Sequence, residues 1–150
     1  MTMQTAFRLL TATFLLFQTA AAQQHADPAF IAAQTEHILR FHADIRVQKN
    51  RKVRVTEHIR VVAKGEAIQR GIYRDIPLEY TYKGATYTVG FEILGIQRDG
   101  KSEAYHTKNL SNGIRIYLGS KDVFLSPDVY DYDITYEVDR VLLFGDRFDR

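Results

Sequence analysis

Strict alternation of apolar and polar residues is the feature that most constrains how this chain can fold. It is clearest over Tyr130 to Val138, where apolar residues occupy the even positions and Asp, Thr or Glu the odd ones. A β-strand turns successive side chains to opposite faces, so this pattern predicts a strand with one buried face. The same alternation runs through Leu39 to Val47, Val53 to Val61 and Tyr87 to Ile93.

The connections between these runs favour an all-β fold. Turn residues separate the runs, as at Lys49-Asn50-Arg51, Lys83-Gly84 and Asp99-Gly100, and no long segment has the period of an amphipathic helix. The 150 residues, 45% apolar and 25% charged, are typical of one globular domain. We therefore predict an antiparallel β-sandwich, either immunoglobulin-like or in the form of a partly closed barrel.

The first two alternating runs are predicted to pair as a hairpin around Asn50. Their apolar residues all have odd numbers, so both runs would turn their apolar sides to the same face. The simplest register sets Arg40 against Arg60, and like charges directly opposite each other are unfavourable. A shift by two residues would instead pair Asp44 with Arg54, and the sequence leaves both registers open.

The first 22 residues have the composition of a secretory signal peptide. Arg8 precedes an apolar run from Leu9 to Phe17, and small residues at Ala20 to Ala22 form a cleavage site. We expect residues 23–36 to be a linker or a short helix and residues 37–150 to be the β-sandwich domain. Because Val141 to Phe144 is strongly apolar and the sequence stops soon afterwards, we expect that domain to be incomplete at its C-terminus.

The segment Arg70-Gly71-Ile72-Tyr73-Arg74-Asp75-Ile76-Pro77 concentrates special residues between two alternating runs. Gly71 can adopt backbone conformations that other residues avoid, whereas Pro77 fixes its own φ and favours an extended residue before it. This combination indicates a shaped junction that acts as a binding site or as a structural clasp. The residues assigned to it are Glu57, Arg70, Gly71, Tyr73, Arg74, Asp75 and Pro77.

Glu57 is the one carboxylate on the predicted apolar face of its run. A buried carboxylate is costly unless it is paired, so we predict an ion pair with Arg70 or Arg74. Such a pair would pin the junction onto the hairpin, and this structural interpretation is favoured. The catalytic alternative makes Glu57 and Asp75 the carboxylate pair of a hydrolase.

Other kinds of site find little support in the sequence. The absence of cysteine excludes disulfides, thiolate zinc sites and a cysteine nucleophile, and no serine lies in a nucleophile elbow. His42 and His58 could approach each other across the hairpin with Asp44 nearby, but we expect neither a metal site nor a cofactor. A net charge of +2, with basic and acidic residues mixed, argues against a nucleic-acid partner.

Tyrosine is abundant, with nine residues, and offers flat apolar area with a polar tip. Some of these tyrosines could form a face that binds a glycan or a peptide. Tyrosine is also a common strand residue, and the tyrosines of the last alternating run, at positions 130, 132 and 136, are predicted to lie in the core.

The order of motifs resembles the N-terminal domain of a bacterial family of predicted membrane proteins, domain of unknown function 2207. The resemblance covers about Ile38 to Phe144 and rests on these motifs: Val55-Thr56-Glu57, Arg70 to Pro77, Arg98-Asp99-Gly100 and Tyr132-Asp133-Ile134-Thr135-Tyr136. It implies a β-rich domain outside the cytoplasm, in the periplasm or at the cell surface, anchored through helices absent from this chain. The family's pattern continues beyond the last strand into a tryptophan-containing segment that this chain lacks, so it implies a truncated domain.

No biochemical activity comes with that resemblance. The function is therefore predicted as an interaction or sensing module of the cell envelope that meets an envelope protein or a glycan. The alternative is a carboxylate-dependent hydrolase acting on envelope material.

Overall fold

A computed structural model describes residues 25–140, which form an all-β structure with one short helix. The elements in chain order are α1 Pro28–Ala33, β1 His37–Val47, β2 Val53–Ala63, β3 Ile72–Pro77, β4 Glu79–Tyr82, β5 Ala85–Thr88, β6 Gly90–Arg98, β7 Lys101–Ser102, β8 Tyr105–Leu110, β9 Gly113–Leu118 and β10 Asp128–Asp139. The all-β prediction is confirmed. The predicted signal peptide over residues 1–22 and the apolar segment after Arg140 lie outside the described residues.

Two antiparallel sheets pack face to face and enclose the core. The large sheet has the order β1-β2-β10-β6-β7 and the small sheet has the order β3-β9-β8, while β4 and β5 form a separate hairpin. Ile59, Tyr132 and Ile134 of the large sheet and Ile116 and Leu118 of the small sheet belong to one buried cluster. Within residues 25–140 the sheets do not close into a barrel, and the two antiparallel sheets agree with the predicted β-sandwich.

The β1–β2 hairpin has the simplest of the two registers, despite its opposed arginines. Two arginine pairs face each other, Arg40 with Arg60 and Arg46 with Arg54. The third strand, β10, explains why this arrangement is tolerated. Its Asp131 lies 3.3 Å from Arg60 Nη1, and its Glu137 lies 2.7 Å from Arg54 Nη2. Acidic residues of β10 therefore offset the like-charge contacts that the hairpin alone would contain.

The predicted burial of the odd-numbered face is correct for β2 and wrong for β1. Ile59 and Val61 of β2 are 4% and 1% exposed, whereas Phe41 and Ile45 of β1 are 50% and 66% exposed. The small sheet causes this difference, because its last strand, β3, contacts β2 and no described strand covers β1.

The predicted strand from Tyr87 to Ile93 is two strands. β5 ends at Thr88 and β6 begins at Gly90, and the two pair with different partners, β4 and β10. Between them, the backbone N–H of the buried Val89 donates to the Leu78 carbonyl at 2.9 Å. The alternation of side chains continues through the break, which explains why the sequence pattern concealed it.

A short helix is present in the segment before the sandwich. Asp27 caps α1 by accepting a hydrogen bond from the Ala29 N–H at 2.8 Å, and Pro28 occupies the first turn. Ile31 is buried, and Asp128 at the start of β10 accepts a hydrogen bond from the Ala26 N–H at 2.8 Å. No helix of residues 25–140 is long and apolar enough to span a membrane.

Candidate functional site

The Arg70–Pro77 segment forms strand β3 and the turn that leads into it. Gly71 enters the strand with φ of +133°, in a region that side chains rarely allow. A Cβ atom at Gly71 would overlap the Leu118 carbonyl oxygen, and one at Gly119 would overlap that of Arg70. The two glycines therefore let β3 and β9 approach closely where both strands meet their turns.

On the inner face of β3, Arg74 forms the predicted ion pair with Glu57. Arg74 Nε donates to Glu57 Oε2 at 2.7 Å and Arg74 Nη2 donates to Oε1 at 3.0 Å. The Tyr136 hydroxyl also donates to Oε1 at 3.0 Å. The hydrogen bonds to Glu57 raise the pKa of Arg74, and burial followed by the nearby Glu57 charge raises that of Tyr136.

This cluster of Glu57, Arg74 and Tyr136, called the clasp below, joins the two sheets. Glu57 is 3% exposed, and both of its oxygens accept hydrogen bonds, Oε2 from Arg74 and Oε1 from Arg74 and Tyr136. A bidentate arginine gives such a pair fixed geometry as well as charge compensation. The arrangement suits a structural contact between β2 and β3 and offers no basis for acid–base chemistry at Glu57.

Asp75 lies on the opposite face of β3 and forms a separate ion pair. Arg115 Nε and Nη2 donate to its two carboxylate oxygens at 2.6 and 2.7 Å. Hydrogen bonding to Arg115 lowers the pKa of Asp75. Because successive strand residues point to opposite sides, Glu57 and Asp75 interact with different arginines on different faces of the small sheet. The structure does not bring these two candidate catalytic carboxylates together.

The remaining residues of the segment have distinct positions. Arg70 does not pair with Glu57, because its guanidinium lies over the Phe124 ring at 4.0 Å. Pro77 is the last residue of β3, and its carbonyl accepts a hydrogen bond from the Tyr80 hydroxyl at 3.1 Å.

Three rings form a row across the outer face of the small sheet. The order is Tyr73 on β3, Tyr117 on β9 and His106 on β8, which occupy one line of paired residues. The Tyr73 and Tyr117 ring centres are 6.2 Å apart, and His106 stacks on Tyr117 at 4.5 Å with an interplanar angle of 7°. Arg115 lies over the Tyr73 ring at 4.1 Å. We call these three rings the aromatic row.

Sequence reasoning did not connect Arg115, Tyr117 and His106 with the candidate site. Alternation over Gly113 to Leu118 places Arg115 and Tyr117 on one face, and this signal was available. Their proximity to Tyr73 depends on the pairing of β3 with β9, whose sequence separation is long and whose register no local pattern specifies.

Two depressions flank β3. The first, the β1–β3 groove, has a volume of about 620 Å³ and lies between the exposed face of β1 and the edge of β3. The second, the aromatic pocket, has a volume of about 260 Å³, and Tyr73, Tyr117 and His106 line it together with Arg70 and Lys121.

The outer face of the large sheet carries cross-strand ion pairs. His58 Nδ1 lies 2.5 Å from Asp133, and the Nε2 atoms of His42 and His58 lie 3.4 and 3.5 Å from the Asp44 carboxylate. Among residues 25–140, no group of three or more histidine and acidic side chains is arranged to hold a metal ion.

Comparison with known proteins agrees with the motif resemblance. The model of the predicted membrane protein (DUF2207) N-terminal domain matches residues 37–150. The uncharacterized protein YciQ of Escherichia coli (strain K12) is 29% identical over 120 residues, which are 79% of this chain and 19% of that relative. This chain thus spans about a fifth of the relative's length, and no solved structure matches it. From the match over residues 37–150, the chain belongs to the DUF2207 family of predicted membrane proteins and carries the N-terminal domain of that family.

Proposed function

We propose that this domain is an extracytoplasmic interaction module of a membrane-anchored protein and that it binds an envelope glycan on the outer face of its small sheet. The observation that carries this proposal is the aromatic row beside the cationic aromatic pocket.

The aromatic row has the shape and chemistry for stacking with sugar rings. The Tyr73 side chain is 59% exposed, so the row presents apolar ring surface to solvent. A pyranose ring has C–H groups on its faces and hydroxyls at its rim, and it can cover such rings while its hydroxyls meet polar groups. The hydroxyls of Tyr73 and Tyr117 and the His106 nitrogens supply those groups.

The charges near the row favour a glycan that carries carboxylate or phosphate groups. Arg70 and Lys121 line the aromatic pocket, and Lys108 lies opposite Arg115 on β8. Asp75 is the acidic residue nearest the row in the β3–β9 pairing, and its charge is compensated by Arg115. The local excess of positive charge would attract an anionic ligand, with a strength that falls as salt rises.

The positions of the carboxylates support a binding module over the hydrolase alternative. A hydrolase with two catalytic carboxylates needs both in one open cleft. Glu57 is buried in the clasp, and Asp75 is held by Arg115 on the other face. No observation favours the hydrolase as a second function.

The proposed location outside the cytoplasm rests on two observations. Residues 1–22 have the composition of a signal peptide. The family is described as predicted membrane proteins, and a relative is about five times as long as the matched segment. Anchoring through a later part of a longer protein is consistent with both.

Binding of purified domain to soluble, anionic peptidoglycan fragments tests this function by isothermal titration calorimetry. We expect Tyr73→Ala to weaken binding roughly tenfold, the equivalent of about 1.4 kcal/mol, because stacked ring area is lost. Tyr82→Ala is the matched control, since Tyr82 is similarly exposed at 49% but lies on the β4–β5 hairpin. Equal losses in both variants, or no binding by the parent domain, would overturn the glycan site.

A further inference from the structure

The two edges of the large sheet differ in length and in protection. The edge strand β7 has two residues, whereas β1 at the other edge has 11, and among residues 25–140 no strand pairs with the outer edge of β1. A sheet edge presents unpaired backbone N–H and C=O groups, and natural proteins shorten such edges or protect them with lysine or proline. β1 is long and contains neither residue. Its outer edge is therefore open to pairing with another strand.

The side chains of β1 also favour association. One face of the strand is apolar and lies beside the small sheet rather than beneath it. Its uncovered residues are Ile38 at 59%, Phe41 at 50%, Ile45 at 66% and Val47 at 65%. Contiguous apolar side chains next to an open strand edge are typical of a surface that contacts another protein chain.

The charges on the other face of β1 indicate what that chain must present. Acidic residues of β10 meet Arg60 and Arg54 of β2. In the part of the chain that the structure describes, no carboxylate forms an ion pair with Arg40 or Arg46 of β1. Asp44 is the one acidic residue of β1, and it is exposed. A strand that brings an acid to Arg40 and a base to Asp44 would complement this face.

A second copy of β1 is such a strand. We propose that two copies of this chain pair through the outer edges of β1, antiparallel about a two-fold axis at His42, and thereby join their large sheets into one. His42 is the central residue of β1, so the whole strand takes part. In this register Arg40 of each copy lies opposite Asp44 of the other, and Phe41 lies opposite Ala43 on the apolar face. Symmetry forms each of these contacts twice.

Neighbouring registers fit less well. The two-fold axis keeps both apolar faces on the same side of the joined sheet, so the alternatives differ only in where the axis crosses β1. An axis at Ala43 would set Arg40 opposite Arg46, and an axis at Asp44 would set the two Asp44 residues against each other. An axis at Phe41 would leave Asp44 without a basic partner. Registers farther from the centre pair fewer residues of β1.

The regular part of β1 contains the contacts that this register needs. The pairing of β1 with β2 has one irregularity, between Ile38 and Arg40, and it runs without interruption from Arg40 to Val47. The stretch from Arg40 to Asp44, on both sides of the axis, is therefore undistorted. This inference is independent of the proposed glycan site, which lies on the outer face of the small sheet.

Sedimentation equilibrium of the purified full chain tests the pairing, at pH 8, where imidazole groups are generally neutral. We expect the parent chain to form a dimer. Arg40→Asp and Asp44→Arg each place like charges opposite each other at both symmetric positions, so each should weaken dimerisation at least tenfold. An equimolar mixture of the two variants should recover the dimer, because every carboxylate then faces an arginine.

Arg46→Asp is the matched control, since it makes the same charge change on the same face of β1. Position 46 lies opposite Ile38 in the proposed register, so we expect dimerisation to change less than twofold. A parent chain that stays monomeric at millimolar concentration would overturn the proposal. A dimer that both charge variants leave intact, or variants that do not associate when mixed, would also overturn it.

Disulfide formation provides a second readout that leaves Arg40 and Asp44 in place, so it decides the question even where a charge variant fails to fold. The chain has no native cysteine. The proposed axis brings the two copies of residue 42 directly opposite each other, with Cα atoms about 4.5–5.5 Å apart, which suits a disulfide. The two copies of residue 46 would be about 27 Å apart along the strands.

His42→Cys should therefore form disulfide-linked dimers under copper phenanthroline with a yield at least fivefold above that of Arg46→Cys. Both residues are exposed on the same face of β1, so random collision would link them alike. Equal yields for the two variants, or a higher yield for Arg46→Cys, would contradict an axis at His42.

Discussion

β1 and β2 are neighbouring strands of 11 residues each with the same alternation, yet one is exposed and the other is buried. The odd-numbered side chains of β2 pack beneath the small sheet, whereas those of β1 lie beside it. Ile59 is 4% exposed and Ile45 is 66% exposed, although both are isoleucines on the same face of one sheet.

The difference shows what alternation specifies. It determines which side of a strand is apolar, since a one-residue shift would turn the whole apolar set over. It does not determine whether a second layer reaches that side. Full burial of an isoleucine stabilises a fold by roughly 1.5–3 kcal/mol, so the width of the small sheet decides how much each strand contributes.

The largest expected effect comes from removing the arginine of the clasp, which joins β3 to β2. Arg74→Met leaves the buried Glu57 carboxylate without its cation, and we expect it to lower the free energy of unfolding by about 3–5 kcal/mol. Urea unfolding followed by circular dichroism measures this loss. Arg115→Met on the outer face is the control, with an expected loss below about 1 kcal/mol. Similar losses for both variants would mean that Glu57 is not buried as described.

The second prediction compares the two isoleucines directly. Ile59→Ala should lower the free energy of unfolding by about 2–5 kcal/mol, because it leaves a cavity in the core. Ile45→Ala should cost less than half as much, since its side chain is mostly outside the sandwich. The urea midpoints of the two variants, compared at equal m-values, measure both losses in the free energy of unfolding.

The third prediction concerns the hydrogen bonds that fix the start of β1 to the turn after β2. Glu36, just before β1, accepts hydrogen bonds from four backbone N–H groups in the turn after β2, those of Lys64, Glu66, Ala67 and Ile68. Partial burial opposes ionisation of this carboxyl, but the four bonds outweigh it and lower its pKa from 4.5 to about 2.

The folded-state pKa of Glu36 lies below the unfolded value, so its contribution is complete above pH 4.5 and is lost as pH falls toward 2. Glu36→Gln should therefore flatten the loss of stability over this range in urea unfolding. Glu79→Gln, at an exposed position on β4, is the control. Equal pH dependence in the two variants would contradict the role of Glu36.

The smallest expected effect concerns the opposed arginines of the hairpin. Arg46→Glu places an acid opposite Arg54, and we expect a gain of about 0.2–1 kcal/mol in the free energy of unfolding. Lys49→Glu makes the same charge change in the turn and serves as the control. A gain from Lys49→Glu as large as that from Arg46→Glu would assign the effect to net charge.

Much of the fold could be predicted from local patterns. The hairpin around Asn50, the last strand with its buried tyrosines and the ion pair of Glu57 all follow from alternation and from the cost of an unpaired buried carboxylate. The choice of Arg74 over Arg70 could not be predicted. Both arginines lie in one segment, and the sequence does not show which of them faces Glu57 once β3 packs on β2.

The candidate site was only partly accessible in the same way. Tyr73 and Asp75 were assigned to it from the motif, but their neighbours Tyr117, His106 and Arg115 come from strands about 30 to 45 positions later. Contacts of that kind depend on sheet order, and sheet order is a property of the assembled core rather than of any local segment.

The amino-acid sequence by itself determined the strands, their apolar faces and the need of Glu57 for a cation, because these depend on the two-residue period and on the desolvation of charge. Only the tertiary structure decided which apolar faces are covered, which arginine meets Glu57 and which rings form the aromatic row. The physical reason is that packing of one sheet on another joins residues far apart in the chain, and the extent of each layer is set by the whole set of strands.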